Sequence, residues 1–323
     1  MIQNGRRALP VFSLSFMVLS ACGTGVETGH EADDALDTAN GELRTTYADL
    51  TETLSETELE KWLEVKRALL EGFDNICGDT LCGGDFSNLS TVRLQCSATT
   101  AAKKMKDCTW VLGGSIGYVN GTTGQIGGES RAFTCKIPIK GTAKTLLNTL
   151  IAAGNRALNT PLPQTNQSFY DGLVACFEGV VGSPIPSVEQ PVYDELQDYF
   201  WAADEAQGLS WVQTRRKLNK GFDEVCGDSF CEGEYPNMTG LGFTCSVKRS
   251  SGYVTKCQWT FVAVDSYVDA KGAIVANTKT YQCPVEIRAY AKKLAATLNV
   301  DDPLHATLPG RNTSLYDALT GCL

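Results

Sequence analysis

Between residues 59 and 73 the large apolar side chains Leu59, Trp62, Leu63, Val65, Leu69, Leu70 and Phe73 recur at helical spacing, and the same stripe returns through Trp211, Leu218 and Phe222. The spacing predicts one amphipathic helix in each place. Each helix runs into a cysteine, Cys77 or Cys226, followed by Gly-Asp, a pair that ends a helix in a tight loop. The period then shortens. Thr91–Ala98 and Cys108–Gly113 read as strands joined by AAKKMKD, and VNGTTGQIGG leads into a further strand through Phe133, Cys135, Ile137 and Ile139. Gly124 is the turn residue of that second connection, with Gly272 in the corresponding later position. Ala143–Ala153 and Ser168–Cys176 read as helices, the second behind an Asn166/Ser168 cap signal that recurs as Asn312/Ser314. Helix, antiparallel strands and then helices make an α+β arrangement.

That pattern is written twice. GFDNICGDTLCGGD begins at Gly72 and GFDEVCGDSFCEGE at Gly221, an offset of 149 that also maps Cys96 and Cys108 onto Cys245 and Cys257. The offset drifts to 148 at Cys135/Cys283 and to 146 where LPQTNQSFYDGLVAC meets LPGRNTSLYDALTGC, which is the signature of tandem duplication. The expected organisation is two homologous domains, 57–178 and 192–323, joined by a linker over 179–191. The element order loosely resembles that of cystatin-like folds, in which one helix lies on an antiparallel sheet. Such a likeness implies architecture and no activity.

Cysteine parity supports the division. Of thirteen Cys, six fall in the first unit (Cys77, Cys82, Cys96, Cys108, Cys135, Cys176) and six in the second (Cys226, Cys231, Cys245, Cys257, Cys283, Cys322). The first pair of each unit is spaced C-x4-C and the copies share no His, so disulfides are favoured over zinc ligation. Three bridges per unit allow 15 pairings, which sequence leaves open. A unit copied whole should close its own bridges, so all are expected to lie within one copy.

The thirteenth cysteine is Cys22. It follows Arg6 and Arg7, an apolar run over residues 8–20 and the tetrad Leu19-Ser20-Ala21-Cys22. The run is too short to span a bilayer and reads as a signal peptide over residues 1–21. The tetrad resembles the lipobox of bacterial lipoproteins, which implies that Cys22 carries the lipid (diacylglyceryl and palmitate) and becomes the mature N-terminus. Gly23, instead of Asp, after the lipidated residue implies the outer membrane of the cell envelope. Residues 22–56 are rich in Thr, Ala, Gly and acids, and are expected to form a flexible tether. The net charge of −9 removes nucleic acid as a partner and leaves the lipid as the membrane contact.

Candidate chemistry is sparse. Asp74, Asp79 and Asp85 match Asp223, Asp228 and Glu234, and carboxylates at such intervals can ligate Ca²⁺. The spacing is not that of an EF-hand, so turn capping is the favoured role. Trp110 and Trp259 read as core, and Tyr118/Tyr267 and Tyr170/Tyr316 as groove or core residues. Ser168 and Ser314 lack a shared His, which removes a Ser-His-Asp triad; His30 and His305 are not equivalent. Asn88, Asn166, Asn237 and Asn312 stand in Asn-x-Ser/Thr triplets and read as caps and turns. The reading that results is a lipid-anchored envelope protein without a cofactor, not an enzyme, that binds a protein or glycan partner or presents structure. A carboxylate-dependent hydrolase and a Ca²⁺-dependent adhesin are the alternatives.

Overall fold

The computed structural model describes residues 46–77, 86, 88–227 and 229–323, with the Cys77 side chain left aside. In the first copy a short strand β1 (Tyr47–Asp49) and one helical turn α1 (Leu50–Thr53) precede the long helix α2 (Glu56–Cys77). Three long strands follow, β2 (Ser90–Thr99), β3 (Met105–Val119) and β4 (Ile126–Pro138), then α3 (Ala143–Ala153) and α4 (Phe169–Phe177). The second copy repeats the order with β5 (Tyr193–Glu195), α5 (Leu196–Ala203), α6 (Glu205–Cys226), β6 (Asn237–Lys248), β7 (Tyr253–Val268), β8 (Ile274–Tyr290), α7 (Ala291–Leu298) and α8 (Leu315–Thr320). Each copy forms its own antiparallel four-stranded meander, β1-β2-β3-β4 or β5-β6-β7-β8. The α+β reading with two tandem sheets is the observed fold.

The expected elements arise for the expected reasons. Trp62, Val65, Leu69 and Phe73 bury one stripe of α2 against the sheet, and Trp211, Leu218 and Phe222 do so on α6. Ser55 and Glu58 form a reciprocal cap at the start of α2, and Ser168/Asp171 and Ser314/Asp317 form capping boxes on α4 and α8. Trp110 and Trp259 are fully buried in their cores. Residues 46–53 correct the expected extent of the tether. They belong to the fold, since β1 pairs with β2 and Leu50 is buried in the first core. Cys22 lies outside the described residues.

Five disulfides are present among the described residues, each inside one copy: Cys96–Cys108, Cys135–Cys176, Cys226–Cys231, Cys245–Cys257 and Cys283–Cys322. Cys96–Cys108 and Cys245–Cys257 join residues directly opposite on neighbouring strands. Cys135–Cys176 and Cys283–Cys322 tie the third long strand of each copy to the segment of its last helix. Cys82 lies outside the described residues.

The two copies are not independent bodies, because residues 45–323 form one compact unit. Cys108, Trp110 and Leu112 of β3 face the helices of their own core. Their neighbours Asp107, Thr109, Val111 and Ser115 are also buried, yet belong to neither core cluster. They meet the other sheet: a Cβ on Gly113 would stand 2.9 Å from Val262 Cβ, and one on Gly117 2.4 Å from Thr244 Oγ1. Helices, sheet, sheet and helices therefore stack in layers, with a partly polar layer between the sheets.

The packing is pseudo-twofold. Tyr193 of copy two lies on Gly124 at the tip of the β3–β4 hairpin, and Tyr47 of copy one lies on Gly272 at the tip of the β7–β8 hairpin. Both glycines adopt positive φ (+70° and +77°), and a Cβ would enter the tyrosine ring at 2.8 Å or 2.4 Å. Ser97 Oγ also donates to Gly272 O at 2.7 Å, and Val192 and Tyr193 N–H groups donate to Gly121 O at 2.7 and 2.9 Å.

Candidate functional site

The symmetry sets up a comparison between two equivalent notches where the sheets meet. In copy one, a base on the long helix (Lys66) feels the charge of the acid that ends the short strand (Asp49), and the two long β2 side chains Arg93 and Gln95 lie beside them. Gln95 Nε2 donates to Asp49 Oδ2 at 2.6 Å, and Arg93 Nη1 crosses to Asn237 Oδ1 at 3.1 Å. Burial and the adjoining Arg93 guanidinium hold the Lys66 ammonium below its ordinary pKa, against the opposing pull of Asp49.

In copy two the counterparts of Lys66 and Asp49 are Arg215 and Glu195, each longer. The counterparts of Arg93 and Gln95 are Gly242 and Thr244, each much shorter. The exchange leaves a cavity of about 620 Å³ bounded by Arg215, Glu195, Gln197 and Asp198 on one side. Ser115–Val119 of β3 form the opposite wall, with Asn88, Gly242 and Thr244 between them. The linker segment Ile185–Val188 and Pro191 adds an apolar border. Asn88 is held in place by a reciprocal pair with Ser115: its Nδ2 donates to Ser115 Oγ at 2.7 Å and its Oδ1 accepts the Ser115 N–H at 2.8 Å.

Electrostatics follow from the burial. Glu195 caps α5, taking the Gln197 N–H on Oε2 at 2.6 Å and the Cys245 N–H on Oε1 at 3.3 Å. Desolvation nevertheless pushes its carboxyl up to about 7, a rise opposed by the Arg215 charge and the two N–H groups. Asp198 is raised by burial and by Asp194, with Arg215 opposing. Burial lowers Arg215, against the attraction of Glu195 and Asp198. Two polar atoms of the cavity residues, Arg215 Nε and Gln197 Oε1, are buried with no hydrogen-bond partner among the described residues.

The acids singled out from sequence distribute otherwise. Asp74 and Asp223 line a second cleft of about 400 Å³ with Lys66 and Arg93, one from each copy. Desolvation raises both, Asp223 to about 6, with Glu71 and Glu224 on their own helices adding to the effect. Glu234 is exposed and does not line that cleft. Asp79, Asp85 and Asp228 lie outside the described residues. Among the described residues no three His, Cys, Asp or Glu side chains cluster as metal ligands.

The remaining candidates have local roles. Ser168 and Ser314 spend their hydroxyls on the capping boxes, and His305 pairs with Asp302 and stacks on Tyr316. Tyr118 lines the cavity, whereas its counterpart Tyr267 is exposed. Tyr170 and Tyr316 pack against the edges of the two cores. Asn237 donates to Val264 O, as Asn88 does to Ser115. Sequence reasoning from residues the copies share does not reach the cavity residues Glu195, Gln197, Asp198 and Arg215. Their signal was the opposite one, a pair of large polar residues in one copy set against small ones in the other.

No described helix is long and apolar enough to cross a membrane. Comparison of the chain with protein-family models, with curated proteins and with solved structures finds no match. Fold and site together define the class only as a pseudo-twofold, disulfide-stapled α+β protein with clefts at the junction of its copies.

Proposed function

We propose that this chain is a lipid-anchored envelope protein that binds a small ligand in the copy-two notch and performs no chemistry on it. Cys22 carries the anchor, and the residues before β1 hold the folded unit away from the membrane. The observation that supports binding is the cavity itself: Gly242 and Thr244 stand where copy one carries Arg93 and Gln95, and they border about 620 Å³ lined also by Glu195, Gln197, Asp198 and Arg215. A concave space of this volume with a few polar and charged groups on its walls is of the kind that small ligands fill. The non-catalytic reading is supported by the ties on two of the cavity's polar groups. Both Glu195 oxygens accept backbone N–H groups, and the Ser115 hydroxyl is engaged by Asn88.

Native mass spectrometry of the full chain, released from its own membranes, tests this. The wild type should carry a small-molecule adduct that Gly242→Arg lacks. Identical spectra from the two proteins would overturn the binding reading.

A further inference from the structure

We propose that the ligand of the copy-two notch is a short peptide that adds itself as a strand to the free edge of β3, an assignment that rests on the binding reading above. Strand β2 begins at Ser90, opposite Gly113, whereas β3 runs on beside β4 to Val119. Alternation fixes which groups face the side that β2 leaves vacant. The Asn120 N–H turns to Gln125 O inside the β3–β4 hairpin, and the Ser115 N–H turns the other way, to Asn88 Oδ1. Residues two apart point alike, so Ile116 and Tyr118 address β4 while Ser115, Gly117 and Val119 address the vacant side. The Asn88 carboxamide takes the first rung. Among the described residues, the N–H and C=O of Gly117 and the N–H of Val119 have no hydrogen-bond partner on that side.

These groups open on the cavity. Ser115–Val119 form one of its walls, and Gly117 is exposed although Ser115 and Ile116 before it are buried. Glycine has no side chain, so that exposure belongs to its backbone. The counterpart of Gly117 in copy two is Ser266, half-buried and with its hydroxyl out of reach of solvent. The linker does not fill the edge itself. Among the described residues, 184–190 make no backbone–backbone hydrogen bond, and Pro184, Pro186 and Pro191 have no N–H to give. A donor and an acceptor on one residue, with a further donor about 7 Å along the strand, form the pattern that an extended peptide complements. Ser115 to Val119 extends about 13 Å, the reach of about five extended residues. The main chain supplies these bonds whatever the side chains, so the mixed charges on the other walls do not decide the class.

Isothermal titration of the full chain in detergent tests the class, with end-capped pentapeptides Thr-X-Thr-X-Thr, X being Val, Phe, Lys or Glu, as probes. At least one should saturate, and its binding should slow amide exchange at Gly117 and Val119. Val119→Pro removes one edge N–H and spares the β4 ladder, which uses the other side of the strand. Affinity should fall about tenfold in that variant, because one peptide carbonyl loses its donor. Should the proline variant not fold, the same probe methylated on every backbone nitrogen keeps its side chains and should not bind the wild type. No saturation by any probe, equal binding of the methylated probe, or wild-type affinity in Val119→Pro would overturn the peptide assignment. A mass adduct that Gly242→Arg lacks would in that case still uphold a bound ligand of another class, and absence of the adduct as well would overturn both readings.

Discussion

Replacing Glu195 by glutamine should flatten the dependence of stability on alkaline pH. The native carboxyl is raised from 4.5 to about 7, chiefly by burial, so the folded state binds this proton more tightly than the unfolded chain does. Its contribution is therefore complete below about pH 4.5 and is lost as pH rises through about 7. A shift of that size corresponds to about 3.4 kcal/mol over the whole range. About 0.8 kcal/mol of this is already lost at pH 5, so about 2.5 kcal/mol should disappear between pH 5 and pH 8.5. That is a large share of a typical domain stability of about 5–15 kcal/mol. Glutamine cannot ionise, although its amide N–H₂ faces one of the two backbone N–H groups that Glu195 accepts; that penalty does not vary with pH. Urea unfolding at fixed disulfide state, repeated across this range, should give a wild-type free energy that converges on the variant's from above, or crosses it, as pH rises. Asp74 and Asp223 are raised as well and slope both curves alike, so the difference between the proteins isolates Glu195 together with its coupling to Asp198. Parallel curves would refute the claim that this carboxyl is desolvated.

Cys22→Ala should abolish incorporation of labelled palmitate and release the chain from the membrane fraction, and label that persisted would remove the lipobox reading. Non-reducing peptide mapping should find only bridges within a copy, with Cys77 paired to Cys82 as Cys226 is to Cys231; a peptide joining the first six cysteines to the second six would contradict both the repeat and the five bridges already seen.

What the sequence made legible is what each copy does alone. The stripes of α2 and α6, the turn glycines and the Ser168 and Ser314 caps follow from local spacing and chemistry. What it hid depends on the other copy. The strand expected over Cys108–Gly113 continues to Val119. Small residues are needed there because the second sheet presses on one face and Phe133 and Leu89 on the other, where a Cβ on Gly114 would come within 2.8 Å of Leu89. Tyr47 and Leu50 fall within the expected tether by its composition; their match to Tyr193 and Leu196 runs at an offset of 146, not 149, and the elements are only three and four residues long.

The pseudo-twofold axis also explains why a site of this kind belongs to a duplicated chain. Two identical subunits would bury the same patch on both sides, and every substitution at their interface would appear twice. Such a pair closes both notches or opens both. Opening both would remove Arg93 and Gln95 together, and with them the Arg93 bond to Asn237 that spans this interface and the Gln95 bond to Asp49 that braces the first sheet. Joined in one chain, the copies can divide the work. Copy one keeps its long polar side chains and holds the sheets together, while copy two gives up the equivalent pair for Gly242 and Thr244 and keeps a longer base and acid around the space. The hairpin tips, where Gly124 and Gly272 receive Tyr193 and Tyr47 alike, remain symmetric. Asymmetry at the notch, within an interface whose tips stay equivalent, is the pattern that binding by one copy and bracing by the other would produce.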